Sequence, residues 1–323
     1  MSRNIALAAT IGLMLLHGVS LAETRITRPI RLVVPYVPGG GTDTLARLVA
    51  PYIAQGFGQQ VVIDNRAGGN STIGTQIVAH AAPDGETIGI VDAAFVSNPS
   101  LADKLPYDTL RDFAPVALVA AAPLALLVAP AVDAKSVKAL VALAKAQPDR
   151  LTFGSAGTGS ATHVAGEQFR SVTGIDIVHV PYKGSGQSIT ELLGSHITMA
   201  FTGLSTAKPH TSAGRVRALG TTGAQRTQVM PDVPTFAEAG YPGVDTTTLT
   251  GIIAPARTPR DYVVKLNRIL MKALAAPELQ ARYHDLGYEA TPNTPDEYAK
   301  RIRVEIEKFG RVIKAAGAQR MQP

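Results

Sequence analysis

Two short glycine-rich segments of the 323-residue chain carry residue types that suit the binding of an anion. Glycines let backbone N–H groups approach a ligand closely, and a helix N-terminus adds unpaired donors and a positive dipole end. The first segment joins a β-like run to a helical pattern, and its candidate ligand-binding residues are Tyr36, Pro38, Gly39, Gly40, Thr42 and Asp43. The second has the same setting, and its candidates are Ser155, Ala156, Gly157, Thr158, Gly159, Ser160 and His163. Two such segments predict two anion cradles, which would suit a ligand with one or two carboxylates.

Several candidate side chains also have a purely structural interpretation. Asp43 could orient a bound water or complement the dipole of its own helix, and we expect both roles. The side chain of Tyr36 could line a ligand cleft or belong to the hydrophobic core. Tyr182 and Lys183 follow a third β-like run. Lys183 could attract an anion, or the segment around it could simply shape the end of a strand.

Motifs for catalysis and for nucleotide or metal binding do not occur in the sequence. The patterns Gly-x-x-x-x-Gly-Lys-[Ser/Thr], Gly-x-Gly-x-x-Gly and Gly-x-Ser-x-Gly are absent. The chain has no cysteine, and its seven histidines lack metal-ligand spacing, so we expect no metal and no cofactor. Ser160 and His163 could form a catalytic dyad, but a histidine in a first helical turn is more often a capping or packing group. We therefore expect a protein that is not an enzyme and has no catalytic residues.

Residues 1–22 have the layout of a secretory signal peptide. Arg3 precedes an apolar run from Ile5 to Leu16, which is shorter than the roughly 20 residues that span a bilayer. The small residues near position 22 predict cleavage between Ala22 and Glu23. A cysteine-free chain also suits the oxidising periplasm. We therefore expect a soluble, periplasmic protein, and a monomer.

The charge and composition of the chain narrow the class of ligand. The net charge is +6, and loss of Arg3 with the signal peptide leaves +5. The basic residues are dispersed and form no dense cluster, which excludes a nucleic-acid footprint and suits the capture of an anionic small molecule. The chain has no tryptophan and only 5% aromatic residues, which argues against a sugar site lined with stacking rings.

The order of predicted elements indicates an α/β fold with two lobes. β-like runs alternate with helical patterns up to about residue 255, and the tail that follows is almost wholly helical. Since no flexible linker separates the two series, we expect the chain to cross between lobes on strands near residues 120–128 and 245–252. The first lobe would then comprise residues 25–122 plus 248–323, and the second would comprise residues 123–247. A cleft between two such domains is the default ligand site.

Nine short segments match motifs of one known family. They are Val34–Asp43, Asp64–Asn70, Ala82–Gly85, Leu105–Asp108, Asp112–Pro115, Gly154–His163, Val180–Gly184, Met230–Thr235 and Ala254–Pro259. In combination they resemble the solute receptors of tripartite tricarboxylate transporters, often called the Bug family. The resemblance implies a periplasmic-binding-protein-like α/β fold, with hinge strands joining two domains around a ligand cleft. It also implies a mono-, di- or tricarboxylate on the loop Gly154–Ser160, waters held near Pro38–Asp43, and inner-membrane transporter subunits as partners.

A few positions depart from the pattern of that family. Thr202 stands where many members have aspartate, and Leu249 and Thr250 stand where many have tryptophan and another aromatic residue. The resemblance places these positions near the cleft, so we include Thr202 among the candidate ligand-binding residues and expect an altered pocket. Two other functions stay open: a sensor for a signalling partner, and an enzyme that uses the Ser160 and His163 side chains.

Overall fold

The computed structural model describes residues 26–290 and 292–315, so the signal peptide predicted for residues 1–22 lies outside the described residues. The described strands are β1 (Ile30–Val34), β2 (Val61–Asn65), β3 (Thr87–Val91), β4 (Phe113–Val128), β5 (Leu151–Ser155), β6 (Ile177–Pro181), β7 (Met199–Gly203), β8 (Arg217–Thr221) and β9 (Thr247–Pro255). The described helices are α1 (Gly41–Phe57), α2 (Thr72–Ala79), α3 (Ala93–Leu101), α4 (Val137–Ala146), α5 (Ala161–Thr173), α6 (Ser185–Leu193), α7 (Leu204–Ser212), α8 (Arg260–Leu274), α9 (Pro277–Asp285) and α10 (Pro295–Ala315). None of these helices is both long enough and apolar enough to cross a membrane.

The strands form one mixed sheet in the order β2-β1-β3-β9-β4-β7-β5-β6, with β8 paired to β4. Strand β4 changes partners along its length. Residues 113–123 pair with β9, whereas residues 124–128 pair with β7 on one side and β8 on the other. We call β2, β1, β3, β9 and residues 113–123 of β4 the first half-sheet. The second half-sheet comprises residues 124–128 of β4 together with β5, β6, β7 and β8.

The strand directions turn the loops of the two half-sheets toward each other. Strands β1 and β3 are parallel, and β3 and β4 are both antiparallel to β9, so β1, β3 and β4 run the same way. Strand β7 is antiparallel to β4, and β5 and β6 run parallel to β7. Because β4 runs from the first half-sheet into the second, the carboxyl ends of β1 and β3 point at the second half-sheet. The carboxyl ends of β5, β6 and β7 point back at the first.

Apolar faces on the helices hold the loops in these positions. An apolar face of α1 packs on the first half-sheet, where Leu45, Val49 and Ile53 are fully buried. Each such side chain contributes about 1.5–3 kcal/mol of transfer free energy. Helix α8 covers the same face, and α3 and α10 pack together on the other side. The α/β class predicted from the alternating elements is confirmed.

Two prolines, Pro115 and Pro123, lie within the 16-residue strand β4. Proline lacks an N–H donor and is tolerated in strands at edges and bulges. Pro115 lies where the register with β9 shifts, between Pro115 and Ala117. Pro123 is the last residue of β4 that pairs with β9. Both prolines thus occupy places where the regular ladder is already broken.

Candidate functional site

The segment Ser155–Ser160, which we call the α5 loop, joins β5 to α5 and has a shape fixed by its own side chains. Ser160 is the N-cap residue of α5, and its Oγ accepts from the N–H of His163 at 3.2 Å and donates to the carbonyl of Gly157 at 2.6 Å. The Oγ1 of Thr162 accepts from the N–H of Ala156 at 2.8 Å. Gly157 has a φ of +122°, a conformation that side chains other than glycine rarely adopt.

The α5 loop presents backbone donors with no protein acceptor. Within the described residues, no hydrogen bond is formed by the N–H groups of Thr158, Ala161 and Thr162. Helix α5 has no acidic residue in its first turn, so its positive dipole end is not compensated by a side chain there. Free N–H groups at such a helix start favour a carboxylate or a phosphate.

Two stacked histidines lie beneath the α5 loop. The Nδ1 of His163 accepts from the N–H of Gly159 at 3.1 Å, and its ring stacks on His179 with 4.1 Å between centroids. The Nε2 of His179 lies 2.7 Å from Oγ of Ser155. Burial, with a smaller effect of Arg170, lowers the pKa of His163 to about 4. Burial and then the charge of His163 lower the pKa of His179 to about 3.

Both histidines are therefore neutral at pH 7 and support the backbone of the loop. The Ser160 hydroxyl donates to the Gly157 carbonyl, and it contacts the backbone N–H of His163 rather than the imidazole ring. The ring of His163 is instead held by Gly159 and by the stack with His179. This arrangement does not align the Ser160 hydroxyl with a general base, which a serine nucleophile requires.

The segment Tyr36–Gly40, which we call the α1 loop, is held by Asp43 in the first turn of α1. The buried carboxylate of Asp43 accepts from the N–H of Gly39, from Nε of Arg47 and from Nδ2 of Asn65, each at 2.9 Å. The same Asn65 amide donates to the carbonyl of Tyr36 at 3.0 Å. The hydrogen bond from Arg47 is the main reason that the pKa of Asp43 is lowered to about 2. Both oxygens of Asp43 are thus engaged in holding the loop.

Asp92, which the sequence analysis did not select, lies beside the α1 loop. It is the N-cap residue of α3, where its Oδ1 accepts from the N–H of Ala94 at 3.0 Å and from the hydroxyl of Tyr36 at 2.5 Å. Its Oδ2 lies 3.5 Å from the Thr42 hydroxyl. The signal that would have found it is an acidic residue directly after β3. Strand β3 is the parallel neighbour of β1, so both carboxyl ends share one edge of the sheet.

The remaining predicted residues lie at the ends of β1, β6 and β7. Tyr182 is half-buried, and its N–H donates to the carbonyl of Ser155 at 3.2 Å, which fixes the end of β6 to the α5 loop. Lys183 is exposed. Thr202 is fully buried opposite Ala125 of β4, and its hydroxyl has no partner in the described part of the chain. In the α1 loop, the exposed residues include Pro38, Gly39 and Gly40.

The two half-sheets approach each other around these loops, across what we call the gap. A Cβ added at Gly159 of the α5 loop would overlap Leu101 of α3 and lie 3.2 Å from the Ser97 hydroxyl. A Cβ added at Gly287 would lie 2.8 Å from Cβ of Leu204, the first residue of α7. A cavity of about 980 Å³ lies along the place where β4 changes partners, with Pro123, Thr247 and Tyr288 among its lining residues. None of the residues that line it belongs to the α1 loop or the α5 loop.

Comparison with known proteins identifies relatives along nearly the whole chain. The family model described as tripartite tricarboxylate transporter family receptor matches residues 45–318. The protein BugT of Bordetella pertussis is 35% identical over 300 residues, which cover 92% of this chain and 92% of BugT. The resemblance to the Bug family expected from the nine motifs is therefore confirmed.

Solved structures of similar proteins share the fold. A protein of R. palustris solved with adipate has a TM-score of 0.82 and 34% identity, over 90% of this chain and 98% of that one. The MatC protein of Rhodopseudomonas palustris with bound malate has a TM-score of 0.79 and 32% identity, over 89% of this chain and 99% of that one. The predicted two-lobed periplasmic-binding-protein fold is confirmed. The chain belongs to the tripartite tricarboxylate transporter receptor family, a family of substrate-binding receptors and not of enzymes.

Proposed function

We propose that this receptor binds a small carboxylate in the gap between the half-sheets and delivers it to an inner-membrane transporter. The observation that carries the proposal is the set of free N–H groups on Thr158, Ala161 and Thr162 at an uncompensated helix N-terminus. These donors lie at the carboxyl end of β5, which points at the first half-sheet. The adipate and malate bound by two similar proteins support a carboxylate as the ligand class.

The proposed site has one chief anion cradle. The α5 loop would hold the ligand carboxylate through backbone N–H groups, with the hydroxyls of Ser155 and Ser160 and the ring of His163 fixing the loop from below. Tyr182, Lys183 and Thr202 would border the ligand from the second half-sheet. The α1 loop would face the ligand from the first half-sheet and contact it through waters near Pro38, Gly39, Gly40 and Thr42. Asp43 would fix the conformation of that loop.

The mechanism requires two lobes that move about the shared strands. We assign residues 25–122 plus 248–323 to the first lobe and residues 123–247 to the second, since β4 changes partners between Pro123 and Leu124 and β9 begins at Thr247. A ligand that contacts both lobes binds the closed form more tightly than the open form and so shifts the population toward closure. The closed form would then dock on the membrane subunits of the transporter.

We further propose that the receptor is exported as a monomer and loses residues 1–22. The short apolar run after Arg3 and the small residues before Glu23 support cleavage after Ala22. The membership of a periplasmic receptor family is consistent with that route. Mass spectrometry of the protein recovered from the periplasm should give a chain that starts at Glu23.

A thermal-shift screen of residues 23–323 against carboxylates tests the binding proposal. The panel should contain mono-, di- and tricarboxylates, amino acids and aromatic acids, with the matching uncharged amides as controls. A ligand at 100 times its Kd stabilises the folded state by about 2.7 kcal/mol. A melting temperature that no carboxylate raises would overturn the proposed ligand class.

A further inference from the structure

The two helix N-termini that face the gap differ in charge, although the sequence predicted two similar cradles. Helix α5 has no acidic residue in its first turn. Helix α1 has Asp43 in its first turn, and the Asp92 carboxylate lies against the Thr42 hydroxyl beside it. The positive end of the α1 dipole therefore has two carboxylates beside it, one of them paired with Arg47, whereas the first turn of α5 has no acidic residue.

Asp92 retains hydrogen-bonding capacity that Asp43 does not. The Oδ1 of Asp92 accepts from Tyr36 and from the N–H of Ala94. Its Oδ2 has the Thr42 hydroxyl at 3.5 Å, the outer limit of a hydrogen bond, so this oxygen can still accept from a donor. In the described part of the chain, no lysine or arginine forms an ion pair with Asp92.

The surroundings of Asp92 supply tyrosines rather than cations. The charge of Asp92 adds to burial in raising the pKa of Tyr36, Tyr288 and Tyr298, so all three rings lie near this carboxylate and stay neutral. Burial raises the pKa of Asp92 itself, whereas hydrogen bonds from Tyr36, from the N–H of Ala94 and from Thr42 favour its charged form. An anionic group brought to this side of the gap would meet a carboxylate of like charge with no neutralising side chain.

Helix α3 sets the distance between Asp92 and the α5 loop. Asp92 caps the amino end of α3, and Gly159 of the α5 loop lies against Ser97 and Leu101 farther along the same helix. At about 1.5 Å of rise per residue, these two points lie roughly 7–14 Å from Asp92 along the helix axis. A small extended molecule with a hydrogen bond of about 2.8 Å at each end can span such a distance.

We propose that Asp92 makes this receptor selective for carboxylates of asymmetric charge: a monocarboxylate whose far end carries a hydrogen-bond donor such as an amide, hydroxyl or ammonium group. The inference rests on the proposed function, because it uses the same gap and the same α5 loop. The ligand carboxylate binds the N–H groups of the α5 loop, and the donor at the far end binds Oδ2 of Asp92. A dicarboxylate of the same length brings its second carboxylate against Asp92 and binds more weakly.

Matched pairs of acids test the selectivity, because each pair differs only in the charge of one end. The pairs are succinate and succinamate, glutarate and glutaramate, and adipate and adipamate, titrated by calorimetry into residues 23–323 at pH 7.5. We expect the amide-ended acid of the best-fitting length to bind at least about tenfold more tightly than its diacid, a difference of about 1.4 kcal/mol. A wild-type protein that prefers the diacid, or that binds both alike, contradicts the inference.

The variant Asp92→Asn assigns the selectivity to one side chain. An asparagine keeps the size and the Oδ1 acceptor but removes the charge, so the diacid should gain affinity and the preference should fall by at least about tenfold. The control Asp84→Asn removes the same charge from an exposed turn, where Oδ1 accepts from the N–H of Glu86 at 2.9 Å. It should leave the preference unchanged.

The outcomes separate this inference from the proposed function. The role of Asp92 is overturned if the preference for the amide-ended acid survives in Asp92→Asn, or if Asp84→Asn lowers that preference equally. Carboxylate binding by the receptor would stand in both cases. Binding of some carboxylate in the wider panel, but of no acid that carries a hydrogen-bond donor at its far end, overturns the inference too. Failure of every carboxylate to bind defeats the proposed function itself. Should Asp92→Asn fail to fold, the wild-type preference within the pairs still decides whether the ligand class is asymmetric.

Discussion

The hydroxyl of Thr222 donates a hydrogen bond to the carbonyl oxygen of Thr246 across 2.6 Å. The hydroxyl oxygen of Thr222 also accepts from the N–H of Leu124 at 2.8 Å, and the N–H of Thr222 donates to the carbonyl of Leu124 at 2.9 Å. Leu124 is the first residue of β4 in the second half-sheet, and Thr246 directly precedes β9. One buried threonine thus ties together the two segments on which the chain passes between the half-sheets.

The variant Thr222→Val should destabilise the protein. Valine keeps the shape of the side chain but leaves the Leu124 N–H and the Thr246 carbonyl without their partner in a buried place. We expect a loss of about 1–3 kcal/mol in the free energy of unfolding, measured by urea denaturation. The control Thr190→Val lies on the exposed surface of α6 and should change stability by less than about 0.5 kcal/mol. Equal losses in both variants would contradict the bridging role.

The variant Gly157→Ala should weaken ligand binding. Gly157 has a φ of +122°, and an added Cβ would lie 3.1 Å from the carbonyl oxygen of Tyr182. We expect the loop to shift and the affinity for the best carboxylate of the panel to fall at least about tenfold, which is about 1.4 kcal/mol by calorimetry. The control Gly240→Ala has a φ of +93° and no atom within 4 Å of the added Cβ. It carries similar backbone strain outside both loops and should keep the affinity.

The variant Asp43→Asn should cost stability, and its effect can be compared with that of Asp296→Asn. Both aspartates lie in the first turn of a helix and form a 2.9 Å ion pair with an arginine, but the Asp43 side chain is 2% exposed and that of Asp296 is 75% exposed. We expect a loss of about 1–3 kcal/mol for Asp43→Asn, because the buried carboxylate accepts hydrogen bonds on both oxygens and an amide keeps only one acceptor oxygen. The surface pair of Asp296 is screened by solvent and should contribute much less. Similar effects of both variants in urea denaturation would be evidence against a special role for Asp43.

The neutral histidines beneath the α5 loop predict a loss of stability in mild acid. Unfolded histidine has a pKa of about 6.5, whereas burial holds His163 near 4 and His179 near 3 in the folded protein. Between these values the unfolded chain binds protons that the folded chain does not, so the free energy of unfolding falls as the pH drops from about 6.5 toward 4. The slope contributed by each histidine approaches about 1.4 kcal/mol per pH unit.

Urea denaturation at pH 7.5, 6 and 5 measures this slope. The variant His179→Gln removes one of the two stacked titrating rings and should flatten the pH dependence in this window. The control His80→Gln replaces an exposed ring at the end of α2 and should leave the slope as it is. If His179→Gln leaves the slope of the free energy of unfolding against pH unchanged, the pKa of His179 is not lowered in the folded protein.

Elements with a clear amphipathic period or a cap could be predicted from the sequence, and elements buried on all sides could not. Ser136 and Ser160 are of a residue type favoured at helix N-caps, and the hydroxyl oxygen of each accepts from the N–H three residues later, at 3.1 and 3.2 Å. Helix α3 escaped prediction because Phe95, Val96, Ser97 and Asn98 are all buried, which leaves no polar face and no 3.6-residue period. Strand β4 is nearly continuous in apolar residues for the same reason.

The positions of the site loops could be predicted, but their charge could not. Glycines and N-caps identify the α1 and α5 loops from local sequence alone. The difference between them depends on Asp92, which is 50 residues from Thr42 in sequence and meets it only through the pairing of β1 with β3. Likewise, the stack of His163 on His179 needs β5 and β6 to lie side by side. Such long-range contacts carry no local sequence signal.

Pro123 restricts where β4 could bend in the proposed movement of the lobes. Its ring fixes its own φ near −65° and also restricts the backbone of the preceding residue, Ala122. The ψ angle of Pro123 and the dihedrals of Leu124 are less restricted, and they lie immediately beyond the last pair with β9. We therefore expect the bending of this strand to fall close to one peptide unit, so that the proposed lobes would swing along a defined path rather than flex along the whole length of β4.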